Sequence, residues 1–244
     1  MSTYVISDIH GHYAQFMAML QAMDFHSQDT LYLLGDVVDR GPDGIKILQY
    51  AMMQPNIYPI LGNHEYMALS TLSWLVNDEI TDEFIAKLDV DRLAGLSEWY
   101  AVGGDTTIAE FRRLDAEQRQ NLLEYLGEFA LYANIMVNGR EFVLTHAGLA
   151  NFAPSRPLAD YRLDELIFLS PDYTRQYYPN KYLVTGHTIT RRIYAQQLHV
   201  AVDALSRDYD RIYREHNHIA IDCACGYDGR LGAICLDTLA EYYV

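Results

Sequence analysis

Short apolar runs recur along the chain, and each ends on a polar residue of the same few kinds. TYVIS runs into Asp8, TLYLLG into Asp36, IYPILG into Asn63 and His64, EFVLT into His146, and YLVTG into His187. Runs of this length, rich in Val, Ile, Leu and Tyr and followed by glycine or a polar residue, predict strands. Between them the period changes. Tyr13, Phe16, Met17, Leu20 and Met23 keep helical spacing, as do Ile45, Leu48 and Met52 after Pro42, so the chain opens β-α-β-α-β. Two further runs, HIAID at 218–222 and LGAICLD at 231–237, read as a closing hairpin around Gly226 to Gly229. An α/β domain whose candidate chemistry sits on loops just past rigid strands follows from this pattern.

Longer polar stretches interrupt it. Residues 66–129 predict a mainly helical insertion or partial lid, in which Thr81 caps DEFIAKL and Asp115 with Gln118 forms a capping box. Residues 189–217 predict a second, polar insertion. At 244 residues and 50% hydrophobic composition, the chain is read as a single domain, 1–244, carrying both insertions.

Charge narrows the partners. Lys and Arg total 18 against 33 Asp and Glu, a formal charge of −15, which disfavours nucleic acid as a partner. No run approaches the roughly 18 apolar residues of a membrane span, and MSTYVISDIHG lacks the basic and apolar regions of a signal peptide. The expectation is a protein with no membrane partner. Cys223, Cys225 and Cys235 are odd in number and lack disulfide spacing; they are read as core thiols in a reducing cytoplasm.

Asp8 and His10, two apart on an extended segment, can point to one side and grip one ion, but a lone D-x-H pair is common. The blocks taken together are specific: D8-I-H10-G, G35-D36-V-V-D39-R40-G41, G62-N63-H64-E65, H146-A-G-L and G186-H187-T. This order resembles the phosphoprotein phosphatase branch of the metallophosphoesterase superfamily, in particular its prokaryotic serine/threonine protein phosphatases. WYAVGGDTTIAEF at 99–111 also resembles a segment of the small prokaryotic members and of relatives that cleave diadenosine tetraphosphate.

The resemblance implies a four-layer α/β/β/α sandwich of two mixed sheets with helices outside. It implies two divalent metals, with Asp8, His10 and Asp36 holding the first and Asp36, Asn63, His146 and His187 the second, Asp36 bridging. Oxygen and nitrogen ligands without thiolate suit Mn²⁺, the first choice, or Fe or Zn²⁺. Paired cations neutralise an anionic ester and acidify water, so the implied reaction is phosphate monoester hydrolysis by attack of a metal-bridging water. His64 is assigned the leaving oxygen's proton, Asp39 the orientation of His64, and Arg40 the phosphate oxygens.

A phosphorylated protein, phosphoserine/threonine or phosphotyrosine, or a small phosphoester is the expected substrate; symmetrical cleavage of diadenosine tetraphosphate is the alternative. One position departs from the family. Ser170 stands where a second phosphate-binding arginine is expected, with Arg156, Arg162 and Arg175 nearby in sequence. Tyr173, Tyr177, Tyr178 and Tyr182, just before His187, are expected to give the pocket an aromatic rim suited to aryl phosphates.

Overall fold

The computed structural model describes residues 1–76 and 81–244; residues 77–80 of the predicted helical block lie outside them. Ten strands among the described residues form two mixed sheets. They are β1 (Thr3–Ile6), β2 (Thr30–Leu33), β3 (Ile57–Pro59), β4 (Tyr132–Val137), β5 (Arg140–Thr145), β6 (Lys181–Thr185), β7 (Tyr213–Glu215), β8 (His218–Ala220), β9 (Gly232–Cys235) and β10 (Glu241–Tyr243). One sheet has the order β10-β9-β1-β2-β3 and the other β4-β5-β6-β8-β7.

Each sheet is built on three parallel strands. β1 pairs β2 and β2 pairs β3 in parallel, as β5 pairs β6 and β6 pairs β8. Antiparallel strands complete the edges. Tyr4 and Ile6 of β1 pack against helices on one side, while Val5 joins Leu34, Phe142, Leu144, Val184, Ile219 and Ile234 in the core between the sheets. Burial on both faces is why these strands read as continuous apolar runs instead of alternating ones.

Helices cover the outer faces: α1 (Tyr13–Ala22), α2 (Gly44–Met52), α3 (Asn63–Leu75), α4 (Asp82–Ile85), α5 (Val90–Trp99), α6 (Asp105–Phe111), α7 (Ala116–Gly127), α8 (Leu163–Ile167) and α9 (Thr190–Leu198). The result is a four-layer α/β/β/α sandwich. Asp115 and Gln118 form the capping box that opens α7, and the Thr81 hydroxyl accepts the Phe84 N–H at 3.1 Å.

The closing hairpin does not form. β8 belongs to the second sheet and β9 to the first, so residues 221–231 cross between sheets. The strands within both runs are buried because each lies in a packed sheet interior, and that pattern cannot tell a shared sheet from two. Among the described residues, no helix is long and apolar enough to cross a membrane.

Candidate functional site

The parallel strands bring one set of ends together. Asp8 lies two residues beyond β1, Asp36 three beyond β2, and Asn63 and His64 open α3 after β3. From the other sheet, His146 directly follows β5 and His187 lies two residues past β6. Asp8, His10, Asp36, Arg40, Asn63, His64 and His187 line one cavity of about 220 Å³. His146 and Asp39 stand behind its wall, each 0% exposed. The nine predicted site residues therefore converge.

Their backbone is strained. Asp8, His10, Asp36, Asp39, Arg40 and His187 all have φ between 48 and 72°, a left-handed conformation that costs a non-glycine residue about 1–3 kcal/mol and is found where surrounding structure enforces it. Here the β1 and β2 loops are laced together: Asp8 N–H donates to Gly35 O at 3.1 Å, His10 N–H to Asp36 O at 2.9 Å and Gly11 N–H to Val37 O at 2.7 Å. Glu65, wholly buried, receives the N–H groups of Asp36 (2.7 Å), Val37 (2.7 Å), Val38 (3.2 Å) and Gly62 (3.1 Å). Gly35, at φ 77°, packs so close to Gly62 that an added Cβ would fall 2.4 Å from its Cα.

Glu65 thus holds the GDVVD loop as a carboxylate. We expect Glu65→Gln to leave two N–H donors facing an amide nitrogen, at about 1–3 kcal/mol for each donor left unpaired. Chemical denaturation measures the loss, and an unchanged midpoint would contradict it.

The geometry suits cations. His10 Nδ1 donates to Val38 O at 3.0 Å and His146 Nδ1 to Leu34 O at 2.6 Å, which leaves each Nε2 turned inward. His187 Nε2 donates to Phe168 O at 3.1 Å, so its Nδ1 is the free nitrogen. Asn63 Oδ1 lies 2.9 Å from His146 Nε2 and 3.0 Å from His187 Nδ1, and Asp36 Oδ1 lies 3.3 Å from His146 Nε2. Acceptors crowd together there with no hydrogen between most of them, an arrangement that a shared cation or proton satisfies. Ligand atoms of Asp36, His146 and His187 fall within 4.8 Å of one another, and so do those of His10, Asp36 and His64. Asp36 is common to both groups, as bridging requires. This donor set fits two divalent metals.

Two details differ from the sequence-based assignment. His64 Nε2, 3.8 Å from Asp36 Oδ2, completes the first group of three where Asp8 was expected. Asp8 is drawn toward the second sheet instead: Ser7 Oγ and the His187 N–H, at 2.9 Å, donate to its carboxylate. It still lines the cavity.

Electrostatics agree with a surplus of buried negative charge. Burial pushes Asp8 up to about 7, with the Asp36 charge adding to the shift. Burial, then repulsion from Asp8, raises Asp222 well above the usual carboxylate range. Burial lowers both His10 and His187, the latter to about 4, which keeps these rings neutral and able to ligate. Burial opposes the imidazolium of His146 too, but Asp36 overrides it and lifts His146 to about 10.

Beside these residues, Asp39 Oδ2 receives His64 Nδ1–H at 2.6 Å. Burial disfavours a charged His64, yet Asp36 and Asp39 outweigh it and raise its pKa. Arg40 Nη1 sits 2.5 Å from His10 Nε2 and Nη2 3.2 Å from His64 Nε2, with the guanidinium 4.3 Å from the centre of the Tyr227 ring.

With these ligand blocks in place, a family comparison applies. The family model for calcineurin-like phosphoesterases matches residues 1–191. The chain belongs to that family. A symmetrical bis(5'-nucleosyl)-tetraphosphatase of Cronobacter sakazakii is 35% identical over 101 residues, covering 41% of this chain and only 36% of that relative. Among solved structures, one provisionally assigned as a diadenosine tetraphosphatase superposes at a TM-score of 0.67, with 19% identity and coverage of 99% of this chain and 92% of the other. A cold-active protein-tyrosine phosphatase of a psychrophilic Shewanella superposes at 0.53 with 13% identity, covering 99% and 80%. At such identities the superpositions speak to fold alone.

The calcineurin-like phosphoesterase site also holds residues that the sequence reading missed or misplaced. Asp222, two residues past β8, lines the cavity; the closing-hairpin reading of HIAID gave it no part in the site, although HIAID ends on an aspartate just as TYVIS and TLYLLG run into theirs. Arg192 of α9 lines the cavity beside Ser170 and Thr188, whose hydroxyls are 2.8 Å apart. Arg175 instead lies over the rings of Phe152 and Tyr177, Arg156 pairs with Glu165 and Arg162 with Asp164. The predicted tyrosine rim is overturned. Tyr173 stacks on His218, Tyr177 and Tyr178 pack on Phe152, and Tyr182 stacks on Phe142. Aromatic side chains bury more apolar area in those packed layers than at a wet rim. The rim tyrosine is Tyr227.

Proposed function

We propose that this chain is a metal-dependent phosphoester hydrolase that cleaves dinucleoside tetraphosphates symmetrically, releasing two nucleoside diphosphates. In that reaction the oxygen of water bonds to one inner phosphorus, and the bridging oxygen leaves with the other half. The observation that carries the reading is Arg192: with Arg40 it supplies a second cationic side chain to a cavity that a four-phosphate chain must enter. The kinship with symmetrical tetraphosphatases supports it. The argument for an aryl or phosphotyrosyl preference rested on the tyrosine rim and falls with it.

Asp8, His10, Asp36, Asn63, His146 and His187 would hold two divalent metals, Mn²⁺ being the first choice for oxygen and nitrogen donors. When bound, the metals supply Lewis-acid charge at the phosphoryl oxygens and lower the pKa of water. The protein's own groups do the rest. Arg40 and Arg192 clamp phosphate oxygens, Asp39 fixes the tautomer of His64, and His64 presents its Nε2 to the leaving oxygen. At about 220 Å³ the cavity admits phosphates and leaves the nucleosides outside, where Tyr227, 51% exposed, and Val102 offer apolar surface.

The test is a comparison of kcat/KM for diadenosine tetraphosphate, a phosphopeptide and an aryl phosphate at one Mn²⁺ concentration. The dinucleotide is expected to lead by at least about tenfold, near 1.4 kcal/mol in transition-state terms. A tenfold preference for the phosphopeptide would overturn the reading. Arg192→Ala is expected to raise KM for the dinucleotide by about tenfold, the scale of one charged hydrogen bond, and to change KM for the aryl phosphate far less.

A further inference from the structure

Trp99 and Thr107 lie about 60 residues beyond Asp39 in the chain, yet both end on its carboxylate. Trp99 Nε1–H donates to Asp39 Oδ2 at 2.7 Å, the same oxygen that receives His64 Nδ1–H. The Thr107 hydroxyl donates to Asp39 Oδ1 at 2.6 Å and accepts the Asp39 N–H at 3.0 Å. Trp99, Thr107 and Asp39 are 0 to 1% exposed. Each oxygen of the carboxylate is therefore held by a protein donor from a single segment, away from water, and the left-handed backbone of Asp39 is pinned by the same hydroxyl.

The segment between the two residues is shaped for this contact. Tyr100–Gly104 forms a wide helical turn broken at Gly103, whose φ is 106°. Gly103 O accepts the Arg40 N–H at 2.9 Å. Gly104 lies so near the Trp99 indole that an added Cβ would stand 2.6 Å from the ring. Residues 99–107 thus meet Asp39 and Arg40 at consecutive points, on the buried side of the site.

We propose that Trp99 and Thr107 are positioning residues that act through Asp39, holding its carboxylate at the angle that keeps the His64 Nδ1–H engaged and Nε2 aimed at the leaving oxygen. On this account the helical block at 66–129 is a brace beneath the site in addition to a cover for the sheet. The inference rests on the proposed role of His64. Loss of one buried outer partner of a functional group commonly costs 10–100-fold in activity, and the loss here falls on the step that needs the His64 proton.

The test compares an alkyl phosphate, whose leaving alkoxide needs that proton, with an aryl phosphate, whose phenolate does not. Trp99→Phe and Thr107→Val are each expected to lower kcat for the alkyl ester 10–100-fold, with KM within about twofold and the aryl ester nearly unaffected. Thr107→Ser, which keeps the hydroxyl, is expected to restore the wild-type ratio. Equal losses on both esters would assign the pair a merely structural part and overturn the proposal. A second readout does not depend on turnover. In zinc-loaded protein the downfield proton resonance of His64 Nδ1–H, identified by its absence in His64→Asn, should broaden or vanish in Trp99→Phe and Thr107→Val; an unchanged resonance in both defeats the brace. If His64→Asn shows the selective loss and these variants do not, the brace fails while the functional reading stands. If wild-type protein hydrolyses neither these esters nor diadenosine tetraphosphate, the functional reading fails and the resonance alone decides the brace.

Discussion

Asp36→Asn is expected to lower metal-supported phosphoester hydrolysis by about 10³-fold or more. Asp36 has ligand atoms in both clusters, with His10 and His64 on one side and His146 and His187 on the other. A carboxylate can span two cations and reduce their repulsion, whereas an amide has one good acceptor and no charge. Metal ions contribute several kcal/mol of transition-state stabilisation, and each 1.36 kcal/mol is a factor of ten. Asp36 also anchors the site in a second way, since its Oδ1 accepts the His64 N–H at 3.1 Å. The measurement is the rate on an aryl phosphate at saturating Mn²⁺, where the leaving group needs no proton, so that the loss reports on the cations and not on His64. Activity within tenfold of wild type would remove Asp36 from the bridge.

His64→Asn is expected to lower kcat by on the order of 10²–10⁴ for a poor alkoxide leaving group and far less for a good phenolate. The ring is 2% exposed and tied through Nδ1 to Asp39, which leaves Nε2 to face the cavity. A nucleoside diphosphate is itself a fair leaving group, so the effect on a dinucleoside tetraphosphate should fall between the two extremes. The leaving-group series checks this. A loss of the same size for alkoxide, diphosphate and phenolate would make His64 a metal-site residue, which its place beside His10 and Asp36 allows geometrically.

Much of the site was legible because its logic is local. Each ligand candidate lies within four residues of a strand end, and burial of the parallel strands on both faces makes those strands easy to read as apolar runs. Asp222 obeyed the same rule at the end of HIAID and was passed over because the run was taken as one arm of a closing hairpin. What was not legible depends on contacts distant in the chain. No pattern near Asp39 indicates that Trp99 and Thr107 reach it, although WYAVGGDTT was visible as a shared segment. Arg175 and Arg192 differ little as sequence; α9 happens to present one to the cavity, while rings of Phe152 and Tyr177 hold the other elsewhere.

Strands β4, β7 and β10 were unread for a related reason. They are sheet-edge strands, half exposed, and their mixed polarity carries no clear period. The two runs taken for a hairpin show the limit of the pattern itself, since adjacency in sequence does not say which sheet receives a buried strand.

The most direct test of the account is a count of bound metal. Protein stripped with a chelator and dialysed against Mn²⁺ is predicted to hold two ions per chain, and Asp36→Asn to weaken both together, since one carboxylate belongs to both clusters. Wild-type protein that binds one ion or none, or an Asp36→Asn variant that keeps one position at full occupancy, would contradict the shared site.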